Sequence, residues 1–148
     1  NLFDRLALRA SVGHLAGGYR PLSPEVAVIT LDTPLSLTPA WTYSLSGEFR
    51  QPLAGAGEIQ MRADWQWRSE VSFQLEADPL ERQRGYGLLN LRATWVLPDE
   101  RFRVSLFGTN VTDREYLTNA QDSRSGNGVA FGGVGRPREW GLELDARF

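Results

Sequence analysis

The chain has no cysteine, no lysine, one methionine and one histidine, so all sixteen basic residues are arginine. Without cysteine there are no disulfides, iron–sulfur clusters or thiolate zinc sites. A single histidine, His14, excludes a multi-histidine metal centre, and the missing lysine excludes a phosphate loop ending in Gly-Lys-Ser/Thr. No apolar run approaches the ~18–20 residues of a membrane-spanning helix. A net charge of −2 and a pI near 5.4 give no basic field that would draw nucleic acid. No cofactor is expected. The first residues, Asn1-Leu2-Phe3-Asp4-Arg5, have neither the basic region nor the apolar core of a signal peptide, and there is no initiator methionine. The expectation is a mature product or a fragment.

What is present is alternation. The 148 residues are 41% hydrophobic with a mean hydropathy of −0.35, an average that resembles a soluble single domain. Read with period two, however, the chain divides into six segments. Arg5 to Tyr19 sets Leu6, Leu8, Ala10 and Val12 against Arg5, Ala7, Arg9, Ser11 and Gly13. Ala40 to Leu53 sets Trp41, Tyr43, Leu45, Gly47 and Phe49 against Thr42, Ser44, Ser46, Glu48 and Arg50. In Gly57 to Glu70, Ile59, Met61, Ala63, Trp65 and Trp67 alternate with Glu58, Gln60, Arg62, Asp64, Gln66 and Arg68. Gly85 to Leu97, Arg101 to Leu117 and Arg138 to Phe148 repeat the pattern, the last with Trp140, Leu142, Leu144, Ala146 and Phe148 on one face. Such alternation predicts strands with one apolar and one polar face.

Length and connections refine the class. The segments run about 11 to 17 residues, against about 5–6 for strands of soluble proteins. About ten residues, tilted by ~40–45°, cross the ~25 Å apolar band of a transmembrane barrel. Pro52 to Ala56 and Pro98 to Glu100 read as tight turns, whereas Pro21 to Pro39, Val71 to Arg84 and Asn119 to Pro137 read as long polar loops. Short turns at one end and long loops at the other are the pattern of an outer-membrane barrel, with both ends of this piece on the periplasmic side. Phe49, Trp95, Phe102 and Phe148 fall near the turn ends, and Trp41, Tyr43, Trp65, Trp67, Tyr116 and Trp140 near the loop ends. These predict two aromatic girdles. A one-residue slip of the third strand would send Arg62, Asp64 and Arg68 into lipid, where a basic residue at mid-depth costs ~2–4 kcal/mol. Period two does not say which way the apolar face points, and a water-soluble barrel also alternates. Six strands would leave two unpaired edges in lipid, which predicts part of a larger barrel or pairing with another chain.

At the fifth and sixth segments a family resemblance emerges. Phe107-Gly108-Thr109-Asn110-Val111-Thr112-Asp113-Arg114-Glu115-Tyr116 resembles the Asn-Leu-x-Asp-x-x-Tyr segment in the next-to-last strand of TonB-dependent outer-membrane receptors. Gly135-Arg136-Pro137-Arg138-Glu139-Trp140, continuing to Phe148, resembles that family's last strand. Thr38-Pro39-Ala40-Trp41-Thr42 and Leu88-Leu89-Asn90-Leu91-Arg92 match its down-going strands. The resemblance covers essentially all of residues 1–148. It implies an all-β, antiparallel transmembrane β-barrel segment: the last six of an expected twenty-two strands, without plug or earlier strands. It further implies a Gram-negative outer membrane, uptake of a ferric siderophore or similar large nutrient, and coupling to the TonB energy-transducing complex through the absent plug. The carboxyl end, with Trp140, Leu142, Leu144 and Phe148, would be recognised by the barrel-assembly machinery. Asn110, Asp113, Tyr116, Pro137 and Arg138 carry the family motif; Asn110 and Asp113 can bond local backbone groups around a turn, and Pro137 opens a strand where no ladder donor is needed.

Ligand contact is expected from the long loops, where Arg82, Arg84, Tyr86, Arg124 and Asn127 offer guanidiniums and an aromatic suited to an anionic, planar or catecholate ligand. The neighbouring acids Glu76, Asp78, Glu81 and Asp122 weaken an anion funnel. No catalytic pairing stands out. Glu58 with Asp64, or Glu143 with Asp145, lie on regular strand faces beside arginines, and His14 falls on the apolar face. Three classes stay open at this point: an energised receptor, a passive outer-membrane channel and a soluble β-barrel binding module.

Overall fold

The computed structural model describes residues 5–19, 33–75 and 78–148; residues 1–4, 20–32 and 76–77, which include most of the first long loop and Glu76, lie outside the described residues. Six strands form one antiparallel sheet: β1 (Leu6–His14), β2 (Trp41–Leu53), β3 (Gly57–Arg68), β6 (Tyr86–Val96), β7 (Phe102–Thr109) and β10 (Glu139–Ala146). Each pairs with the next in that order. Two small ribbons sit in the long connections. One pairs β4 (Val71–Ser72) with β5 (Arg82–Gln83); the other pairs β8 (Leu117–Ser123) with β9 (Val129–Val134) across a one-turn helix, α1 (Arg124–Asn127). The β2–β3 and β6–β7 turns are tight. Ala56 N donates to Leu53 O at 2.9 Å in one, and Glu100 N donates to Leu97 O at 2.9 Å in the other.

Register makes the two faces uniform across the whole sheet. One row of facing residues runs Leu8, Gly47, Ala63, Leu91, Gly108 and Trp140 through all six strands. The adjacent row, on the other face, runs Ala7, Glu48, Arg62, Arg92, Phe107 and Gly141. The apolar face is open: Leu142 is 73% exposed, Leu8 66% and Trp140 58%. Among the described residues the buried apolar side chains are Val71, Phe73, Tyr86, Val96 and Ala120, and none of them lies on that face. A sheet of this kind has no core beneath its apolar side and needs an apolar surrounding.

The polar face is held by ion pairs. Arg62 donates from Nε to Asp64 at 2.6 Å and from Nη1 to Glu48 at 3.0 Å; Arg92 reaches across β7 to Glu143 at 3.1 Å. The Ser11–Ser44 and Thr94–Ser105 hydroxyl pairs, at 2.7 and 2.8 Å, link facing strands. At the loop end of the apolar face, His14, Trp41, Tyr43 and Trp67 form a continuous ring ladder with centroids 4.1, 6.1 and 5.2 Å apart. At the turn end, Trp95 Nε1 donates to Ala56 O at 2.7 Å, so its ring lies among apolar neighbours with its polar atom satisfied.

Several expectations are corrected. The strands are 8 to 13 residues long rather than 11 to 17. The first ends at His14, not Tyr19, because the chain beyond Leu15 has no facing residue on β2. The fifth ends at Thr109 rather than Leu117: Asn110 and Asp113 take left-handed conformations, φ 46° and 54°, and turn the chain out of the sheet. Residues from Leu117 onward belong to the β8–β9 hairpin, so the segment read as a plain loop from Asn119 contains ordered structure. Tyr116 is not in the loop-end girdle; it stacks on Tyr86, which belongs to the polar face.

Gly108 and Gly141 illustrate how the edge is packed. Each faces an aromatic residue, Trp140 and Phe107, whose ring lies over the glycine; a Cβ added to Gly141 would fall 2.3 Å from Phe107 Cζ. We expect Gly141→Ala to destabilise the full-length protein by ~1–3 kcal/mol through overpacking. Gly126→Ala, where a Cβ meets nothing within 4 Å, should be near neutral. Urea titration in detergent micelles checks the difference, and equal midpoints would remove the packing argument.

Candidate functional site

The loop end of the sheet is knitted together by buried polar groups. In the connection after β3, Asp78 caps a short 3-10 turn, Pro79–Glu81, by accepting from Leu80 N at 2.8 Å. Glu81 and Gln83, both buried, reach from there to the β8–β9 hairpin. Glu81 Oε1 accepts from Asp122 N at 2.7 Å, and Gln83 Oε1 accepts from Leu117 N at 2.6 Å. Beside them Val71, Phe73 and Ala120 form a small apolar cluster, with Leu117 packed against it. A buried polar atom without a partner costs ~1–3 kcal/mol, so these bonds couple the two loops in sequence-specific register.

A second knot sits where β7 leaves the sheet. Asn110 is 4% exposed. Its Nδ2 donates to Arg114 O at 2.9 Å and Arg136 O at 3.1 Å, its Oδ1 accepts from Arg114 N at 2.9 Å, and its backbone N–H donates to Asn90 Oδ1 at 3.0 Å. Asp113 Oδ1 accepts from Arg138 N at 3.0 Å, and the Arg138 guanidinium lies 3.6 Å from the same carboxylate. Two asparagine and aspartate side chains thus fix the start of β10 against the end of β7. Pro137 stands just before β10, outside its ladder. Trp140, Leu142 and Leu144 lie on the open apolar face, and Phe148 lies beyond β10, fully exposed.

The expected ligand residues divide. Arg82 lies in β5 with its guanidinium 3.6 Å from Glu70. Arg84 is exposed, and its carbonyl accepts from Gln83 Nε2. Tyr86, buried at the start of β6, stacks on Tyr116 with centroids 4.6 Å apart. Arg124 and Asn127 are at the hairpin tip, and the Arg124 guanidinium also lies 3.8 Å from Asp78 of the neighbouring loop. Arg124 grips Asp122 through Nε and Nη2 at 2.6–2.9 Å, and Asn127 Oδ1 accepts from Val129 N at 3.3 Å. Arg68, read from the sequence only as a polar-face strand residue, joins these ligand candidates. It faces Tyr86 in the β3–β6 register, with its guanidinium 5.0 Å from that ring. Together with Ser11, Thr42, Ser44 and Gln66 they line a groove of about 310 Å³ on the polar face. Among the described residues no group of His, Cys, Asp and Glu is arranged to hold a metal ion.

The hydrogen bonds and charge of Arg124 hold Asp122 below the ordinary carboxylate value, and Asp122 raises Arg124 in return.

These features define a class: an antiparallel barrel wall with one apolar face, tight turns at one end and structured loops at the other. Neither a scan of protein-family models nor a search of curated proteins gives a match. Among solved structures, the ferric yersiniabactin uptake receptor FyuA from Yersinia pestis superposes with a TM-score of 0.67 at 21% identity. The alignment covers 76% of this chain and 17% of the receptor chain. At this identity the likeness is one of fold: the six-stranded sheet has the fold of a segment of an outer-membrane receptor β-barrel.

Two measurements test the loop-end geometry. The Asp122 carboxyl should titrate below the ~3.9 of a free aspartate, followed by carbon NMR, and Arg124→Gln should raise it part of the way back, since the backbone N–H of residue 124 still donates to it. Because the folded pKa is the lower one, the pair's contribution is complete above the unfolded value and disappears as pH falls through the folded value. Asn110→Ala should cost ~1–3 kcal/mol in urea unfolding, because it strands the Arg114 and Arg136 carbonyls. A loss under about 0.5 kcal/mol would mean that water replaces the amide at no cost.

Proposed function

We propose that the chain forms part of the wall and the extracellular loops of a TonB-dependent outer-membrane receptor. The cargo on this reading is a ferric siderophore or another large nutrient, and the chain does no catalysis. The observation that carries it is the register: all six strands hold apolar residues to one exposed face, and the opposite face carries the ion pairs that five of them form. In lipid only closed ladders satisfy the backbone, so the free edges of β1 and β10 would be completed by further strands, twenty-two in all. On this reading the chain belongs to the carboxyl-terminal part of that barrel, which the order of the motif segments supports. The FyuA structure, a ferric yersiniabactin uptake receptor, supports the reading through its fold.

In this reading the parts have distinct tasks. The apolar face and its ring ladder seat the wall in the outer membrane, because indole and phenol rings favour the headgroup level. The polar face lines a hydrated lumen in which arginine–carboxylate pairs are tolerated. The interlocked loops hold Arg82, Arg84 and Tyr86 at the mouth, while the plug, outside this chain, would contact the TonB complex. Arg124, paired with Asp122 in its own hairpin and with Asp78 in the neighbouring loop, ties the loops together rather than meeting the cargo.

The test is uptake by cells of the source organism, with and without the gene. Loss of uptake of at least one labelled ferric siderophore on deletion, and its collapse on addition of a protonophore, is the expected outcome. Protonophore-resistant uptake together with steady conductance in a planar bilayer would instead make it a passive channel.

A further inference from the structure

The arginines of the six main strands are not equivalent. Arg9, Arg50 and Arg62 share Glu48, Arg62 also holds Asp64, and Arg92 holds Glu143. Among the described residues Arg68 and Arg103 have no carboxylate within ion-pair distance. Arg103 is at the turn end, facing Asp145 in the register without an ion pair, and its Nε is buried. Of the arginines on the six main strands, Arg68 is the one at the loop end without a carboxylate partner among the described residues.

Its surroundings are those of a binding group rather than of a wall pair. The guanidinium stands over the Tyr86 ring, which is itself fixed by stacking on Tyr116. It opens onto the groove of about 310 Å³, whose lining combines the polar Ser11, Thr42, Ser44 and Gln66 with the apolar Pro39 and Leu88. Ser11 and Ser44 satisfy one another at 2.7 Å and still offer lone pairs and an exchangeable proton to a ligand. A single guanidinium matches one carboxylate through two parallel N–H···O bonds, whereas a dianion would remain half-compensated. The hydroxyls and amide beside it match ligand hydroxyls.

We propose that this groove is a binding site for a hydroxylated carboxylate, with Arg68 as its anion anchor. The proposal deepens the transport reading, since it takes the polar face as the lining of a water-filled lumen. It moves the anchoring charge from the loops to the end of β3.

The probes are D-gluconate and D-sorbitol, which carry a run of hydroxyls and differ in the carboxylate. The full-length gene product in detergent micelles is titrated calorimetrically with each. Gluconate should bind at least about tenfold more tightly than sorbitol, a difference of about 1.4 kcal/mol. Arg68→Gln should abolish that preference, and Arg68→Lys, which keeps the charge but loses the fork, should retain part of it. Retention of the heat-dependent gel shift of a folded barrel qualifies each variant, and the lysine variant carries the test if the glutamine variant fails to fold. Equal binding of the two probes by the wild type, or a preference that survives Arg68→Gln, overturns the site. An Arg68-dependent preference without energised uptake keeps the site and removes the transport reading; energised uptake without that preference does the reverse.

Discussion

Every feature of this sheet depends on a backbone that has to pair with a neighbour while its charges stay on one side. In hydrocarbon an unpaired amide costs several kcal/mol, and water is not there to replace the missing strand. Antiparallel ladders meet the first demand, and period two meets the second, provided the register does not slip. The row Leu8, Gly47, Ala63, Leu91, Gly108 and Trp140 shows the two demands satisfied together, six strands wide. One step of slip at β3 would put Arg62 and Asp64 on the apolar side in place of Met61 and Ala63. Tight turns at Leu53–Gly57 and Leu97–Phe102 fix two of the pairings locally, and cross-strand aromatic–glycine contacts fix another.

The loop end obeys a different rule. There the chain has few apolar residues to bury, and specificity comes from buried polar side chains that satisfy backbone groups at a distance. The Asn110 side chain makes three hydrogen bonds to backbone groups at the exit of β7, and its left-handed backbone is one that asparagine tolerates better than branched residues. Glu81 and Gln83 do the same between two loops that are 34 to 41 residues apart in sequence. The small cluster of Val71, Phe73 and Ala120 is too slight to hold these loops by burial alone. The geometry of the mouth therefore rests on a handful of directed bonds.

This contrast decides what could be read in advance. Face assignment and strand identity were legible because alternation is a property of each strand taken alone. The two tight turns were legible from Pro52 to Ala56 and Pro98 to Glu100 because such turns are local. The end of β7 was misjudged: residues 110–117 keep enough alternation to look extended, while the asparagine and aspartate bonds that turn the chain run to Arg136 and Arg138, far along the sequence. Tyr116 was assigned to a girdle by its distance from the strand end, and the turn at Asn110 put it on the other face. Arg68 was hidden for a related reason. Its partnership with Tyr86 depends on the β3–β6 register, which a long connection does not determine.

Charge on the polar face follows from the same division. Exposed ion pairs add little stability, at most about 1 kcal/mol each, so the Arg9–Glu48–Arg62–Asp64 chain is better understood through what it prevents. Unpaired, these arginines would line the proposed lumen with one sign of charge and hold any anion along its full height. Paired, they leave a wall that is polar yet nearly neutral, across which a charged cargo has no reason to stop. The loops repeat the pattern, with Arg82 beside Glu70 and Arg124 on Asp122. A neutralised wall makes selectivity local. Affinity for an anion then concentrates where compensation ends, and within the loop-end half of the six strands that point is Arg68.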